Sequence, residues 1–445
     1  MDDTQDILQR WQWEPQPRAG AFLREGVDAI QKGVPFAERM SALLLDEAGI
    51  RLWDMVDLLR LPPEKVHEAE SRGWHSTGKI EDGCAIYENP SGQFPRIGLS
   101  DRTALYMKVE SAEDFLTAHE LRVPIVGEPQ SGRRVADLEH TPVAAFGVIE
   151  RHNGIANAAS DPRSVVQVLE NFRNRNRDTF AHASELIDEA VGLLGASHAA
   201  HMFFRAEREY WQSRNHAAQV QKRRQDRLGI GWANHDHHTY RSSRENFAPL
   251  IAIFEKLDFH CRERFYAGRA AGWGAQVLEN SDAGLVLFCD VDLSPDELRD
   301  DFAHEGLSPR AELGTIGLWC GLHGDSFLQA GMHHLEGTFS FDRLRDQLAQ
   351  EQVRSMKPFT DFPHLRQAFT EGERWRVDAQ RVQALLDAGR ITGEQAETFL
   401  REGAVGSHLE NLERNDGFKG FNQSGVSEII AATDPRKLSS SMSGM

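Results

Sequence analysis

The sequence predicts an α+β fold in which sheet modules of β-α-β-β-β order are used more than once, with extensive helices added around them. Three observations lead there. Two short segments carrying a His-His pair, Asp236-His237-His238-Thr239 and Met332-His333-His334-Leu335, lie 96 residues apart, and each runs into a helical pattern. That spacing exceeds the roughly 20 to 50 residues of solenoid and propeller repeats, so a duplicated sheet module fits it better. Between the two pairs, apolar runs of strand length alternate with turn residues. The composition, 40% hydrophobic and 27% charged over 445 residues, is that of a globular chain with room for a sizeable core.

Taken in order, residues 1–75 read as a helical region, with apolar faces supplied by 36–45 and 52–59 and an end at Pro62-Pro63. Residues 76–160 read as a mixed β-α-β-β module: a strand at Thr103–Val109, a helix opened by Ser111-Ala112-Glu113-Asp114, and strands at Leu121–Val126 and Val143–Ile149. Residues 161–228 are a helical buttress with aromatic side chains at Phe203, Phe204, Tyr210 and Trp211. The segment 229–355 is expected to be a metal-binding βαβββ core. Gly229-Ile230-Gly231 delivers the chain into a strand over Asn234–Arg241. A helix over Phe247–Leu257 follows, with Pro249 in its first turn and Phe247, Leu250, Ile251 and Phe254 on one face. Strands are expected at Phe259–Tyr266, Trp273–Leu278 and Gly284–Asp290, then a polar helical insertion over Leu293–Arg310. Further strands are expected at Gly314–Cys320 and Phe327–Phe339, and a helix at Phe341–Val353. Residues 356–436 read as largely helical apart from a loop through Asp416–Asn422, and the Ser-rich 437–445 as a disordered tail.

The formal net charge of -18 argues against sequence-independent nucleic-acid binding, which draws on many Lys and Arg contacts to phosphate. Arg173, Arg175 and Arg177, and Lys222-Arg223-Arg224, read instead as solvated helix faces. No run approaches the ~18 apolar residues of a membrane span, and the acidic N-terminus lacks a signal-like apolar stretch, so no membrane partner and a cytoplasmic location are expected. Cys84, Cys261, Cys289 and Cys320 are too scattered for a disulfide framework or a CxxC zinc site. Nucleotide-binding GxxxxGK[ST] and GxGxxG motifs and a G-x-S-x-G elbow are missing from the places their chemistry needs.

The chemistry therefore centres on the histidines. On a strand, His235, His237 and Arg241 share one face, and Asp236, His238 and Tyr240 the other. A divalent first-row metal that must also bind substrate or oxygen wants about three protein ligands, which two imidazoles and a carboxylate provide. In that arrangement His237 and His333 are equivalent ligands, with His235 and His334 as substitutes, because a one-residue slip swaps strand faces. The carboxylate is open. Glu336 shares the phase of His334 rather than His333, and Glu312 and Glu279 lie near expected strands. Arg241, with Arg244 beyond it, is placed to hold the carboxylate of a small-molecule substrate bidentately.

These modules, with a histidine on the first strand, resemble the vicinal oxygen chelate superfamily. Asp236-His237-His238-Thr239-Tyr240-Arg241 is similar to the H-x-x-x-R strand of the 2-oxoadipate dioxygenase family. Phe146-Gly147-Val148-Ile149-Glu150-Arg151 and Gly417-Phe418-Lys419-Gly420-Phe421-Asn422 are similar to segments of 4-hydroxyphenylpyruvate dioxygenases. Gly147 stands where that family's metal-binding glutamate would be, so the N-terminal module is expected to be a metal-free copy. The resemblance implies paired modules forming a curved sheet around a mononuclear iron(II) site, a 2-oxo acid as substrate and dioxygen as oxidant. It implies a ligand role for His237 and a substrate contact for Arg241. Zinc, manganese or nickel used for lyase, isomerase or hydrolytic chemistry is the alternative, and a non-catalytic, self-assembling protein a third; homo-oligomerisation is open.

Overall fold

The computed structural model describes residues 12–127, 133–151, 162–175, 177–422 and 433–436, so the expected disordered tail lies outside the described residues. Two sheets carry the chain. The first contains β1 (Val56–Leu61), β2 (His75–Glu81), β3 (Cys84–Glu88), β4 (Arg96–Leu99), β5 (Ala104–Val109), β6 (Arg133–His140) and β7 (Ala145–Arg151), in the order β2-β3-β4-β1-β5-β7-β6. β1 is parallel to β4 and antiparallel to β5, and β5 is parallel to β7. With the short helices Val66–Ser71 and Ala112–Ala118, this is a β-α-β-β-β module joined edge to edge to a β-α-β-β one.

The second sheet repeats the pattern. It contains β8 (His235–Arg241), β9 (His260–Tyr266), β10 (Trp273–Asn280), β11 (Leu285–Asp292), β12 (His334–Thr338), β13 (Thr360–Phe362), β14 (Leu365–Phe369) and β16 (Ala404–Arg414), with β15 (Glu373–Trp375) paired to β16 off the main path. The order is β13-β14-β16-β12-β8-β11-β10-β9. β8 is parallel to β11, β12 is parallel to β16, and β8 and β12 run antiparallel where the modules meet. Helices Phe247–Lys256 and Phe341–Gln350 occupy the crossovers. The chain is thus an α+β protein of paired βαβββ modules, as the sequence predicts.

Helices between the sheets, Pro162–Arg173, Phe180–Leu194, Ala196–Ser213 and His216–Arg227, cover the outer face of β8. Phe204 lies 4.8 Å from the His238 ring and 6.0 Å from that of Tyr240, and Phe203 stacks on Phe327 at 4.9 Å. Beneath them Glu207, fully buried, pairs with Arg175 and Arg177 and accepts a hydrogen bond from Tyr240. Among the described residues, no helix is long and apolar enough to cross a membrane.

Several expectations are corrected. Residues 52–59 are not helical; a 3₁₀ turn over Leu52–Met55 leads into β1, because strand pairing on both sides overrides the helix propensity of the leucines. The strand expected at 121–126 is a loop that pairs only through Val126 with Val135, and the charged edge strand β6 takes its place. Residues 314–320 form part of a helix, Thr315–His323. Its start is fixed by a remote group: the Asp292 carboxylate accepts hydrogen bonds from the backbone N–H of Gly314, Ile316 and Gly317 at 2.7–3.0 Å. Residues 327–339 divide into a π-helical turn over Ser326–Ala330 and the strand β12. The insertion after β11 contains only a 3₁₀ turn, Asp296–Arg299, and residues 356–414 hold four strands and two helices rather than a helical run.

Candidate metal centre

Strand register assembles the site. Across the sheet Glu410 of β16 stands beside Glu336 of β12, which stands beside His237 of β8. One row along, His408, His334, Thr239 and Phe288 line up on β16, β12, β8 and β11. Period two then brings His237, Thr239, His334, Glu336, Phe288, Asp290 and Glu410 to one face. The face borders a small cavity walled by Phe265, Trp273, Phe288, Phe359, Phe369 and Phe421.

Within it, one ligand-type atom from each of His237, His334 and Glu410 lies within 4.8 Å of the others, and all three residues are buried. Burial pushes both imidazoles down from their ordinary value, which favours the neutral form that ligates a metal. His334 Nε2 lies 3.0 Å from Glu410 Oε2 and 2.8 Å from Thr239 Oγ1, while its Nδ1 lies 2.8 Å from His333 Nδ1. His333 thus holds the back of the His334 ring, as the outer partner of a metal-bound imidazole does. His237 Nδ1 contacts the Glu336 carboxylate, leaving Nε2 as the nitrogen available to the cavity.

The carboxylates are crowded. Burial raises both Glu336 and Glu410, and the neighbouring Glu410 charge raises Glu336 further. Gln367 Nε2 donates to Glu336 Oε1 at 3.0 Å and to Glu410 Oε1 at 3.2 Å, holding the two acids side by side. Asp236, His237 and Glu336 form a second potential ligand set. Its Asp236 is already engaged: Arg414 pairs with it at 3.1 Å and Gln93 donates to it at 2.7 Å. Burial pushes the Asp236 carboxyl up, but Arg414 and His237 outweigh burial and hold it well below the carboxylate range. The set with His237, His334 and Glu410 is the one that opens on the cavity.

Other sequence-predicted residues lie elsewhere. A register shift at Glu336/Gly337 leaves Asp236 as an extra residue and turns His235 off the face of His237, so its ring lies 5.3 Å from that of His238. There, burial and then Arg208 hold its imidazole down at about 4. His333 faces Trp319 and His408, with ring centroids at 5.6 and 5.2 Å. Arg241 is buried, 3.7 Å from Asp290 Oδ2, and stands over the Trp319 ring at 5.5 Å. Asp290, rather than Arg241, lines the cavity; burial pushes its carboxyl up to about 7, with Arg241 opposing and Glu410 adding to the rise. Arg244 binds Glu297, Asp292 O and Ser308 O and so pins the insertion rather than entering the cavity. Glu279 pairs with Arg262 and Lys419, and Glu312 is exposed.

Glu410 and Asp290 were not singled out from sequence. The repeat itself held a signal for Glu410, since a module that opens at His334 requires three more strands after its helix.

In the N-terminal sheet, the corresponding face is filled by Leu58, Tyr106, Val135 and Ile149, and a Cβ on Gly147 would meet the Tyr106 ring at 2.8 Å.

No protein-family model matches the chain, and no curated protein does. Among solved structures, it is similar to a variant of 4-hydroxymandelate synthase from Streptomyces coelicolor, at 11% identity over 90% of this chain and 95% of that one, with a TM-score of 0.27. It is also similar to methylmalonyl-CoA epimerase from Mycobacterium tuberculosis, at 11% identity over 41% of this chain and 88% of that one, with a TM-score of 0.24.

Proposed function

We propose that the chain is a mononuclear non-heme iron(II) oxygenase acting on a small 2-oxo acid or related carboxylate. The observation that carries this reading is the convergence of two imidazoles and one carboxyl group, His237, His334 and Glu410, on an aromatic-walled cavity. The donor set fits a divalent cation. Its three protein ligands leave coordination positions open, and a bound cation would favour the ionised form of the paired acids Glu336 and Glu410, which burial otherwise disfavours. When bound there, iron(II) would supply open positions for substrate and oxygen and the electrons the oxidation needs.

The protein's own part is positioning and exclusion of water. His333 and Glu336 hold the two imidazoles from behind, and Gln367 fixes the orientation of Glu410. Six aromatic side chains keep the cavity apolar around the reacting end of a substrate. Asp290 on the cavity wall, with Arg241 behind it, marks where a polar distal group would be held.

Oxygen uptake by the iron(II)-loaded protein that depends on a 2-oxo acid, and that is lost in His334→Ala, is the expected result. Turnover that persists without oxygen on the zinc-loaded protein would replace this reading with lyase, isomerase or hydrolytic chemistry on the same fold.

A further inference from the structure

A second group of metal-ligating side chains lies on the surface. We propose that Glu255, Cys261 and His304 form a separate site for a zinc-class cation, one that ties the insertion after β11 to the helix and strand beside it.

The three residues come from three separate pieces of backbone: the end of the Phe247–Lys256 helix, the start of the edge strand β9, and the insertion. One ligand-type atom from each lies within 4.8 Å of the others. The turn that brings the first two together is unusual. Asp258 takes a left-handed conformation at φ 63°, and the N–H of Phe259 donates back to Phe254 O, so the chain reverses and places Glu255 next to Cys261. The insertion is anchored over the same spot. Phe302 stacks on Phe247 at 5.7 Å, and Arg264 donates to Leu298 O at 2.6 Å.

Three features point to a metal rather than to a plain surface ion pair. First, His304 stands between two carboxylates, Asp301 on one ring nitrogen and Glu255 on the other. Its Nδ1 lies 2.8 Å from Asp301 Oδ2 and its Nε2 lies 2.8 Å from Glu255 Oε1. Asp301 on the far nitrogen orients the ring as the outer partner of a metal-bound histidine does, and a cation would replace the proton now shared between Nε2 and Glu255, keeping both as ligands. Second, Cys261 is the one exposed cysteine of the four, in a chain whose other thiols are buried. Cysteine is ordinarily among the most buried residue types, so an exposed thiol beside an imidazole and a carboxylate is out of place unless it has a partner. Third, the donor set is discriminating. A thiolate and an imidazole favour zinc or cobalt over magnesium or calcium, which want oxygen ligands, and three protein ligands leave one position for water. The thiolate also distinguishes this site from the buried centre, whose ligands are nitrogen and oxygen only. Asp301 is a positioning residue here, acting through His304.

The test is a cobalt(II) titration of the full-length, reduced, chelator-treated protein, read by the near-ultraviolet thiolate-to-cobalt charge-transfer band. Wild type is expected to show the band, saturating by two equivalents because the buried centre takes up cobalt as well. Cys261→Ser abolishes it, and His304→Ala weakens cobalt binding at this site at least tenfold. Asp301→Asn keeps the band but weakens binding about 10- to 100-fold, the range expected for an outer partner of a ligand. His334→Ala, which removes a ligand of the buried centre, leaves the band intact. Circular dichroism and melting of each variant without metal check folding, and because Cys261 and His304 are exposed these are expected to match wild type. Absence of a thiolate band in wild type at saturating cobalt, or a band that survives Cys261→Ser, would overturn the proposal.

Discussion

Replacing Glu410 by glutamine is expected to move stability in opposite directions with and without a metal ion. In metal-free protein Glu410 is a buried acid beside a second buried acid, Glu336, and the adjacent Arg414 guanidinium is spent on Asp236. An uncharged amide of the same shape removes the cost of burying an ionisable acid there and can still accept from Gln367, which stands 3.2 Å from Oε1. A gain of about 1 kcal/mol is the size expected when a strained functional group is made neutral. With metal the sign reverses. At a free concentration 100 times the wild-type Kd, binding stabilises wild type by about 2.7 kcal/mol, while a variant bound 100-fold more weakly gains only about 0.4 kcal/mol. The loaded variant is then roughly 1 kcal/mol less stable than loaded wild type. The assay is urea denaturation of both proteins, in a Cys261→Ser background so that only the buried centre responds, with chelator and with iron(II) under nitrogen. A variant less stable than wild type in chelator, or one stabilised by iron(II) as much as wild type, would refute the reasoning.

Arg414→Met leaves Asp236 buried without its guanidinium and frees the carbonyls of Phe418 and Gly420, so a loss of about 3–5 kcal/mol is expected in chemical denaturation; a loss under 1 kcal/mol would contradict the assigned role. Glu297 is held at about 2, since Arg244 and Ser294 outweigh the upward push of burial. Its folded value lies below its unfolded one, so its contribution is present above about pH 4.5 and is lost as pH falls through about 2. After allowance for solvent screening, Glu297→Gln is expected to cost about 1 kcal/mol at pH 7, a difference that closes in acid. Asp290→Asn uncovers the Arg241 charge at the cavity wall and is expected to tighten binding of a 2-oxo dicarboxylate about tenfold, read by calorimetry on the metal-loaded protein. Weaker binding than wild type would place the distal group elsewhere.

Much of the C-terminal sheet was legible because its modules announce themselves locally. The Asn234–Arg241 strand, the helix with Phe247, Leu250, Ile251 and Phe254 on one face, and the three strands after it carry clean periodicities, and all of them form. What escaped reading depended on partners distant in sequence. Helix Thr315–His323 starts where Asp292 caps it from another strand. β16, Ala404–Arg414, is buried along nearly its whole length, so it lacks the polar–apolar alternation of a half-exposed strand, and its apolar Val405, Leu409 and Leu412 mimic helical spacing. Missing β16 hid Glu410. The two-histidine, one-carboxylate pattern was legible as chemistry, but strand phase was not. The shift at Asp236 that separates His235 from His237 is a property of pairing with β12 and leaves no trace in the local sequence.

Anomalous diffraction from crystals grown with iron(II) under nitrogen tests the central claim most directly. The account predicts a peak at the iron edge bounded by His237, His334 and Glu410, facing the aromatic cavity. No peak there, or one seated between Asp236 and Glu336 behind His237, would contradict it.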